Sequence, residues 1–113
     1  RGGFAQGVGA ALLERFSYTE DGQFLSGTFA DYLIPTAHEV PDIIILHTQS
    51  PSPFTPLGTK GVGEGNSMST PVCIANAVAD ALGVEDVELP LTPDRLAVLM
   101  CQGGSGSRTE EVT

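Results

Sequence analysis

The stretch "PLGTKGVGEGNSMSTPV", residues 56–72, sets four glycines around one lysine and one glutamate and then leads into a helix. Thr70 is a good N-cap, Pro71 suits the first helical position, and Gly83 is a typical residue after a helix. Between them, apolar residues recur every four positions. The pattern therefore predicts a helix that begins directly after the glycine-rich loop.

Two further helices are predicted, one at each end of the chain. Residues 4–16, "FAQGVGAALLERF", repeat apolar residues at a spacing of four. Gly7 and Gly9 each cost this helix about 1 kcal/mol relative to alanine, so we expect another backbone or a ligand to approach closely there. The last helix has Thr92 as its cap, Pro93 in first position and Gly103 as its end.

The segments between the helices predict β structure. Residues 16–29 place aromatic and apolar residues on both sides of Asp21-Gly22, a strong signal for a type I′ hairpin turn. Residues 42–49, "DIIILHTQ", indicate a buried strand. The predicted fold class is therefore α+β, with a β-hairpin and an additional strand packed with two to three helices. Residues 1–101 are expected to form one domain, followed by a mobile tail at 102–113.

Composition restricts the partners of the chain. Its 113 residues include 14 acidic and 5 basic ones, for a formal charge of −9, which disfavours nucleic acid and anionic membrane surfaces. The longest apolar run is far shorter than the roughly 20 residues of a membrane-spanning helix. Two cysteines make no disulfide framework, which favours a reducing, cytoplasmic location. Cysteines and histidines share no ligand spacing, so no metal bound by protein side chains is expected.

The glycine-rich loop does not match either familiar phosphate-binding motif. Gly58 and Gly63 have the Walker spacing, but Glu64 and Gly65 follow where lysine and serine or threonine belong. The dinucleotide pattern needs a glycine at the position that Asn66 occupies. Two interpretations of Glu64 stay open on residues alone: an exposed carboxylate on a glycine turn, or a base beside a cofactor or substrate that lies against the main chain.

Two segments taken together resemble one family. "GGFAQGVGAALLE" at the front and "PLGTKGVGEG" about fifty residues later are similar to the C-terminal part of the molybdopterin-binding large subunit of the molybdenum hydroxylases. This is the xanthine dehydrogenase and aldehyde oxidase family, and the aerobic carbon monoxide dehydrogenase type is the nearest in appearance. "ANAVADALG" and "LPLTPDRL" match the closing helices of the family, so the resemblance covers residues 2–101.

The resemblance implies roles for particular residues. Glu64 would be the catalytic base that takes a proton from a metal-bound hydroxyl, and Gln6 with Gly7 would touch the cofactor. The backbone of residues Lys60, Gly61, Val62 and Gly63 would line the same pocket. The cofactor would be molybdopterin with molybdenum, which members of this family often carry in the cytosine dinucleotide form. No protein side chain would hold the metal.

The resemblance also implies partners. These are the remaining part of the large subunit, iron–sulfur and flavin subunits or domains, and a second copy in a homo-oligomer. The start at Arg1 without methionine is read as a cut inside a longer polypeptide. The leading interpretation is a piece of an oxidoreductase large subunit that is inactive by itself. The alternative is a stand-alone binding or assembly module that self-associates or docks onto a partner subunit. An anion-binding regulator that uses the loop is disfavoured by Glu64.

Overall fold

The computed structural model describes residues 1–103, and within that range it contains three α-helices and one short 3₁₀ helix. Helix α1 spans Gly2–Leu12, α2 spans Gly65–Leu82 and α3 spans Pro93–Gly103. The 3₁₀ helix is Pro56–Gly58, just before the glycine-rich loop. All three predicted helices are therefore present, two of them with different first residues.

Helices α1 and α2 pack side by side and run parallel. A Cβ placed on Gly7 would lie 2.5 Å from the Cβ of Thr70, and one placed on Gly3 would lie 3.5 Å from the Cβ of Asn66. Both contacts advance by one turn in the same direction along each helix, which fixes the parallel orientation. Gly7 therefore allows the two backbones to approach closely, as its cost in a helix predicts.

The small core lies at the C-terminal half of α1. Val8, Ala11 and Leu91 are the buried apolar residues. The backbone N–H of Leu91 donates to the carbonyl of Ala11 at 2.6 Å, which satisfies one of the carbonyls left free at the end of α1. Arg15 pairs with Asp94 at 3.1 Å, so the start of α3 is held beside the end of α1.

The predicted α+β class is wrong for the described residues, because residues 1–103 form no strand and no sheet. The hairpin at 16–29 is reduced to a single antiparallel bridge between Tyr18 and Phe24. Its turn does form: Gly22 has φ 86°, and its N–H donates to the carbonyl of Thr19 at 3.0 Å. A single residue at positive φ, rather than the two of a type I′ turn, indicates a three-residue loop that ends in a bulge.

The predicted strand at 42–49 is also absent. Residues 41–50 contain no helix, turn or bend, so the chain is straight there. No backbone hydrogen bond joins this segment to another part of the described chain. A strand exists only through pairing, and residues 1–103 supply no partner.

Helix α2 begins at Gly65, six residues before its predicted first residue, Pro71. Its N-cap is Glu64, whereas Thr70 and Pro71 lie inside the helix and are buried. Gly83 does end it, in the left-handed conformation with φ 65°. At the other end, α3 includes residues 102 and 103 of the predicted tail, and the remaining tail residues, 104–113, lie outside the described part of the chain.

The chain exposes far more surface than a compact protein of its mass. Its accessible area is 9235 Å², whereas a folded monomer of 11.7 kDa exposes about 5,900 Å². Large apolar side chains contribute to this surface, among them Phe29, Ile44, Leu46, Phe54 and Leu57. Apolar side chains that lie exposed next to one another on a protein surface usually mark contacts with other protein.

Candidate functional site

A tight turn holds Glu64 at the entrance of α2. The N–H of Gly65 donates to the carbonyl of Val62 at 3.0 Å, and the carbonyl of Glu64 accepts from Ser67 at 2.9 Å. Glu64 has φ −99° and ψ 7°, the conformation of the third residue of a type I turn. Its side chain makes no capping hydrogen bond and is exposed. The backbone therefore fixes the position of Glu64, while its carboxylate stays free to contact other groups.

The N-terminus of α1 lies against this turn. A Cβ on Gly3 would come within 3.1 Å of the carbonyl oxygen of Gly63 and 3.6 Å of the backbone nitrogen of Asn66. Two parallel helices therefore begin next to each other, and the partial positive charge at the start of each lies beside Glu64.

An open depression surrounds Glu64. Its lining is Gly61, Val62, Gly63, Glu64, Gly65 and Met68. Met68 follows Glu64 by four residues in α2, which puts both on the same side of the helix, and Met68 is 77% exposed. Met68 could not be identified from the sequence, because the predicted helix began at Pro71 with Thr70 as its cap. The four-residue spacing would have indicated it once the helix was known to begin earlier.

Gly61 and Gly63 have no reason within the described chain to be glycine. A Cβ on either residue would meet no atom within 4 Å, and neither residue has a positive φ. By contrast, Gly58 has φ 69° and a Cβ there would lie 2.6 Å from the Cβ of Pro51. Local geometry therefore explains the glycine at position 58. The space beside Gly61 and Gly63 stays available to a group from outside residues 1–103.

Lys60 bonds to the segment that precedes the glycine-rich loop. Its Nζ donates to Oγ of Ser50 at 2.6 Å, which ties the glycine-rich loop to the segment before it. The intervening loop is closed by a bond of 3.0 Å from the N–H of Ser52 to the carbonyl of Gly58. Lys60 therefore lies outside the lining of the depression, and its ammonium group ties the loop to Ser50.

The two predicted site residues of α1 differ in environment. Gln6 is exposed, and its side chain has no hydrogen-bond partner within residues 1–103. Gly7 is buried against Thr70, so its lack of a side chain serves the packing of α1 on α2. The structure thus brings the α1 motif and the glycine-rich loop together, while the cofactor contacts of these residues stay predictions.

Metal-ligating side chains do not cluster in the described part of the chain. Residues 1–103 contain no group of three or more His, Cys, Asp or Glu side chains that could hold a metal ion. Cys73 and Cys101 are free thiols on the surfaces of α2 and α3. No helix among the described residues is both long and apolar enough to cross a membrane.

The shifted pKa values lie away from Glu64. A hydrogen bond to Glu14, with smaller effects of desolvation and of the Glu14 charge, raises the pKa of Tyr32 above its usual 10.0. Hydrogen bonds from the Thr36 hydroxyl and backbone lower the pKa of Glu39. These are local contacts of the 14–39 segment, and they do not contribute to the depression at α2.

Comparison with known proteins gives consistent matches. A family profile described as a molybdopterin cofactor-binding domain matches residues 1–41. The chain is 42% identical over 105 residues to the 6-hydroxypseudooxynicotine dehydrogenase complex subunit gamma of Paenarthrobacter nicotinovorans, covering 90% of this chain and 13% of that protein. It is 36% identical to the carbon monoxide dehydrogenase large chain of Afipia carboxidovorans, covering 79% of this chain and 11% of that protein.

Part of a solved enzyme structure has a fold similar to that of this chain. The crystal structure of quinoline 2-oxidoreductase from Pseudomonas putida 86 superposes with a TM-score of 0.81 at 42% identity. The match covers 90% of this chain and 13% of that chain. The sequence described here thus spans about an eighth of the length of the proteins it matches.

Proposed function

Because this chain belongs to the molybdenum hydroxylase family, as part of its molybdopterin-binding large subunit, we propose that Glu64 is the general base of the complete enzyme. The observation that supports this most is the contact between the two motifs, since Gly3 of α1 lies against the carbonyl of Gly63 beside Glu64. Segments sixty residues apart thus form one end of a helix pair. Glu64 thus lies where a bound group could contact both α1 and the glycine-rich loop.

The chemistry of the depression fits a bulky planar cofactor. Gly61 and Gly63 leave open space where side chains would otherwise stand, so a bound group can lie against the main chain. The partially positive ends of α1 and α2 would favour the oxygen and phosphate atoms that a molybdopterin carries. Gln6 is exposed about one turn along α1 from Gly3 and would add a side-chain donor and acceptor.

Glu64 would act by moving one proton. The bound molybdopterin supplies the redox centre and the site at which an oxygen derived from water is activated. Glu64 would accept a proton from water activated at that centre. As the N-cap residue of α2 it makes no side-chain capping hydrogen bond, so its carboxylate has no competing partner there. The described chain thus provides the base and one wall of the cofactor pocket.

The whole-enzyme properties follow from the same proposal. The pocket is completed by the remaining part of the large subunit, and iron–sulfur and flavin subunits or domains carry the electrons away. The cofactor is taken as the cytosine dinucleotide form, and the subunit as part of a homo-oligomer in the cytoplasm. Residues 1–101 then act as one structural unit of the large subunit, which is inactive alone.

The test uses the complete large subunit, assembled with its partner subunits. In it the Glu64 carboxylate is replaced by an amide. Glu64→Gln keeps the size of the side chain but removes the base, and general-base catalysis contributes about 10²–10⁴-fold to rate. We expect turnover to fall by that factor while molybdenum content stays unchanged. Glu85→Gln, at an exposed glutamate beyond the end of α2, is the matched control and should retain activity. Undiminished turnover in Glu64→Gln would contradict the assignment.

A second function is favoured by the exposed apolar surface. Phe29, Phe54 and Leu57 are 78%, 92% and 97% exposed, which suits a binding or assembly module that self-associates or docks onto a partner. Sedimentation of the chain over a range of concentrations separates the two functions. A monomer at all concentrations that binds no partner counts against the module.

A further inference from the structure

A closed loop at residues 50–60 leads into the segment that carries Glu64. The N–H of Ser52 donates to the carbonyl of Gly58 at 3.0 Å, which closes the loop through its backbone. The Nζ of Lys60 donates to Oγ of Ser50 at 2.6 Å, and this bond joins the first and last residues of the loop. A surface loop of this length whose ends meet is a compact unit in its own right.

The interior of this loop is stiff. Three prolines, at positions 51, 53 and 56, each fix one backbone angle. A Cβ placed on Gly58 would lie 2.6 Å from the Cβ of Pro51, so the two sides of the loop pack against each other. The hydroxyl of Thr55 donates to the carbonyl of Thr59 at 2.8 Å. The loop therefore forms one rigid body up to the residue before Lys60.

The segment between Lys60 and Glu64 has much less to hold it. Gly61 and Gly63 carry no side chain, and a Cβ on either would meet no atom within 4 Å. Val62, between them, is 81% exposed. Glycine loses more conformational freedom on ordering than any other residue, so this segment is costly to fix in one conformation. The position of Glu64 therefore depends on what holds the two ends of the segment.

Helix α2 holds one end, and Lys60 holds the other. Lys60 stands four residues before Glu64 and is the only lysine of the chain. Its ammonium group makes a charge-assisted hydrogen bond, which is stronger than one between neutral groups. Its side chain is not part of the lining of the depression, so any effect on the chemistry must pass through the position of other residues.

We propose that Lys60, through its bond to Ser50, is a positioning residue for Glu64. A general base must lie within about 2.6–3.2 Å of the atom that gives up the proton, and a misplacement of about 1 Å can cost on the order of 100-fold in rate. The bond to Ser50 ties the flexible segment to the rigid loop and so limits where the carboxylate can lie. This inference rests on the proposed function, because Glu64 must be the base for its position to affect turnover.

The first test removes the donor in the complete large subunit with its partner subunits. Lys60→Met keeps a long side chain, and we expect kcat to fall about 10- to 100-fold while KM and molybdenum content stay unchanged. Arg15→Met is the matched control, since it removes another exposed cation, whose bond of 3.1 Å to Asp94 lies away from the depression, and it should retain kcat. Unchanged kcat or lost molybdenum in Lys60→Met would overturn the proposal.

The second test changes the acceptor. Ser50→Ala removes the hydroxyl and should lower kcat as Lys60→Met does, whereas Ser50→Thr keeps a hydroxyl at an exposed position and should retain kcat. The double variant should lose no more than either single variant, because all three lack the same bond. Losses that multiply in the double variant, or equal kcat in Ser50→Ala and Ser50→Thr, would contradict the pairing.

A third test separates positioning from a general loss of structure. If Lys60 acts through Glu64, Lys60→Met should cause no further fall in kcat when it is added to Glu64→Gln. A general structural defect would lower kcat by the same factor in both backgrounds, and that result would overturn the positioning role.

Backbone amide exchange gives a measurement that is independent of turnover. The amide of Gly65 donates to the carbonyl of Val62 at 3.0 Å in the turn around Glu64. We expect this amide to exchange on the order of 10-fold faster in Lys60→Met and at the original rate in Arg15→Met. Unchanged exchange in Lys60→Met would refute the role of Lys60 in holding this turn.

The two proposals fail in different ways. Full turnover of Glu64→Gln would refute the base assignment, whatever the exchange rate of Gly65. Impaired Glu64→Gln together with full turnover of Lys60→Met would refute only the positioning role.

Discussion

Glycines in two parts of the molecule have different explanations. In α1, Gly3 and Gly7 lie against α2, and a Cβ on Gly7 would be 2.5 Å from the Cβ of Thr70. In the loop before α2, Gly61 and Gly63 face open space and have ordinary backbone angles. The first pair is required by packing inside the described chain. No contact within residues 1–103 requires glycine at the second pair, so the space beside this loop, rather than α1, is where we propose that the cofactor lies.

The largest effect that tests this difference is expected at Gly63. Gly63→Ala adds a methyl group where nothing in residues 1–103 clashes, so folding should be unaffected. If the cofactor fills that space, overpacking of about 1–3 kcal/mol should weaken its binding by roughly 5- to 150-fold. Molybdenum content of the purified complete enzyme measures this. Gly27→Ala, also in open space, is the control, and equal loading of the two variants would remove the distinction between the two pairs of glycines.

Gly7 should give the next largest effect, on stability. The methyl group of Gly7→Ala would meet the Cβ of Thr70, which is fixed to the backbone and cannot rotate aside, so α1 must move away from α2. We expect the free energy of unfolding to fall by about 1–3 kcal/mol. Gly2→Ala lies in the same helix with nothing within 4 Å, and it should instead stabilise by about 0.5–1 kcal/mol. The thermal unfolding midpoint of the assembled subunit reports both. A stable Gly7→Ala variant would mean that the helices can separate without cost.

Gly65 lies between the two classes and should respond weakly. A Cβ there would be 3.3 Å from Cγ2 of Val62, whose side chain is 81% exposed and can move. Gly65→Ala also improves the helix start, so we expect a net change within about 0.5 kcal/mol. Thermal unfolding beside Gly7→Ala makes the comparison. A loss as large as that of Gly7→Ala would show that the turn around Glu64 tolerates no adjustment.

The smallest expected effect concerns the contact that follows α1. Tyr32 donates to Glu14 at 2.5 Å, and this bond raises the pKa of Tyr32 above 10.0. A raised pKa means that the stabilisation is fully present below pH 10 and is lost as the pH rises through the folded-state pKa. Tyr32→Phe should remove that dependence, and tyrosinate absorbance during alkaline titration measures it. Tyr18→Phe, which removes a hydroxyl without such a partner in residues 1–103, is the control. Loss of a step at the ordinary pKa of tyrosine, rather than above it, in Tyr32→Phe would contradict the contact.

The sequence predicted the helices better than their limits. Periodic apolar residues locate α1, α2 and α3, and Gly83 ends α2 as expected. Thr70 and Pro71 resemble a helix start, yet both are buried inside α2 because Thr70 packs on Gly7. A proline one turn or two into a helix is tolerated when tertiary contacts outweigh the lost hydrogen bond. Local patterns cannot weigh that contact, so the start was misplaced and Met68 was overlooked.

Strand patterns failed for a related reason. Residues 42–49 have strand-like composition and a straight backbone, but within residues 1–103 they have no partner. Helical hydrogen bonds close within one segment, whereas a strand depends on another segment for every bond. The residues that form helices could therefore be predicted, and the β class could not.

By itself, the sequence determined which segments become helices, where a flexible glycine-rich loop lies, and that Glu64 stands at its end. These properties follow from side-chain periodicity and backbone freedom over a few neighbouring residues. Only the tertiary structure decided that α1 starts beside Glu64, that Gly7 serves packing while Gly61 and Gly63 leave space, and that residues 43–46 stay unpaired. Such facts depend on contacts between segments far apart in the chain, and no local pattern encodes the distance between them.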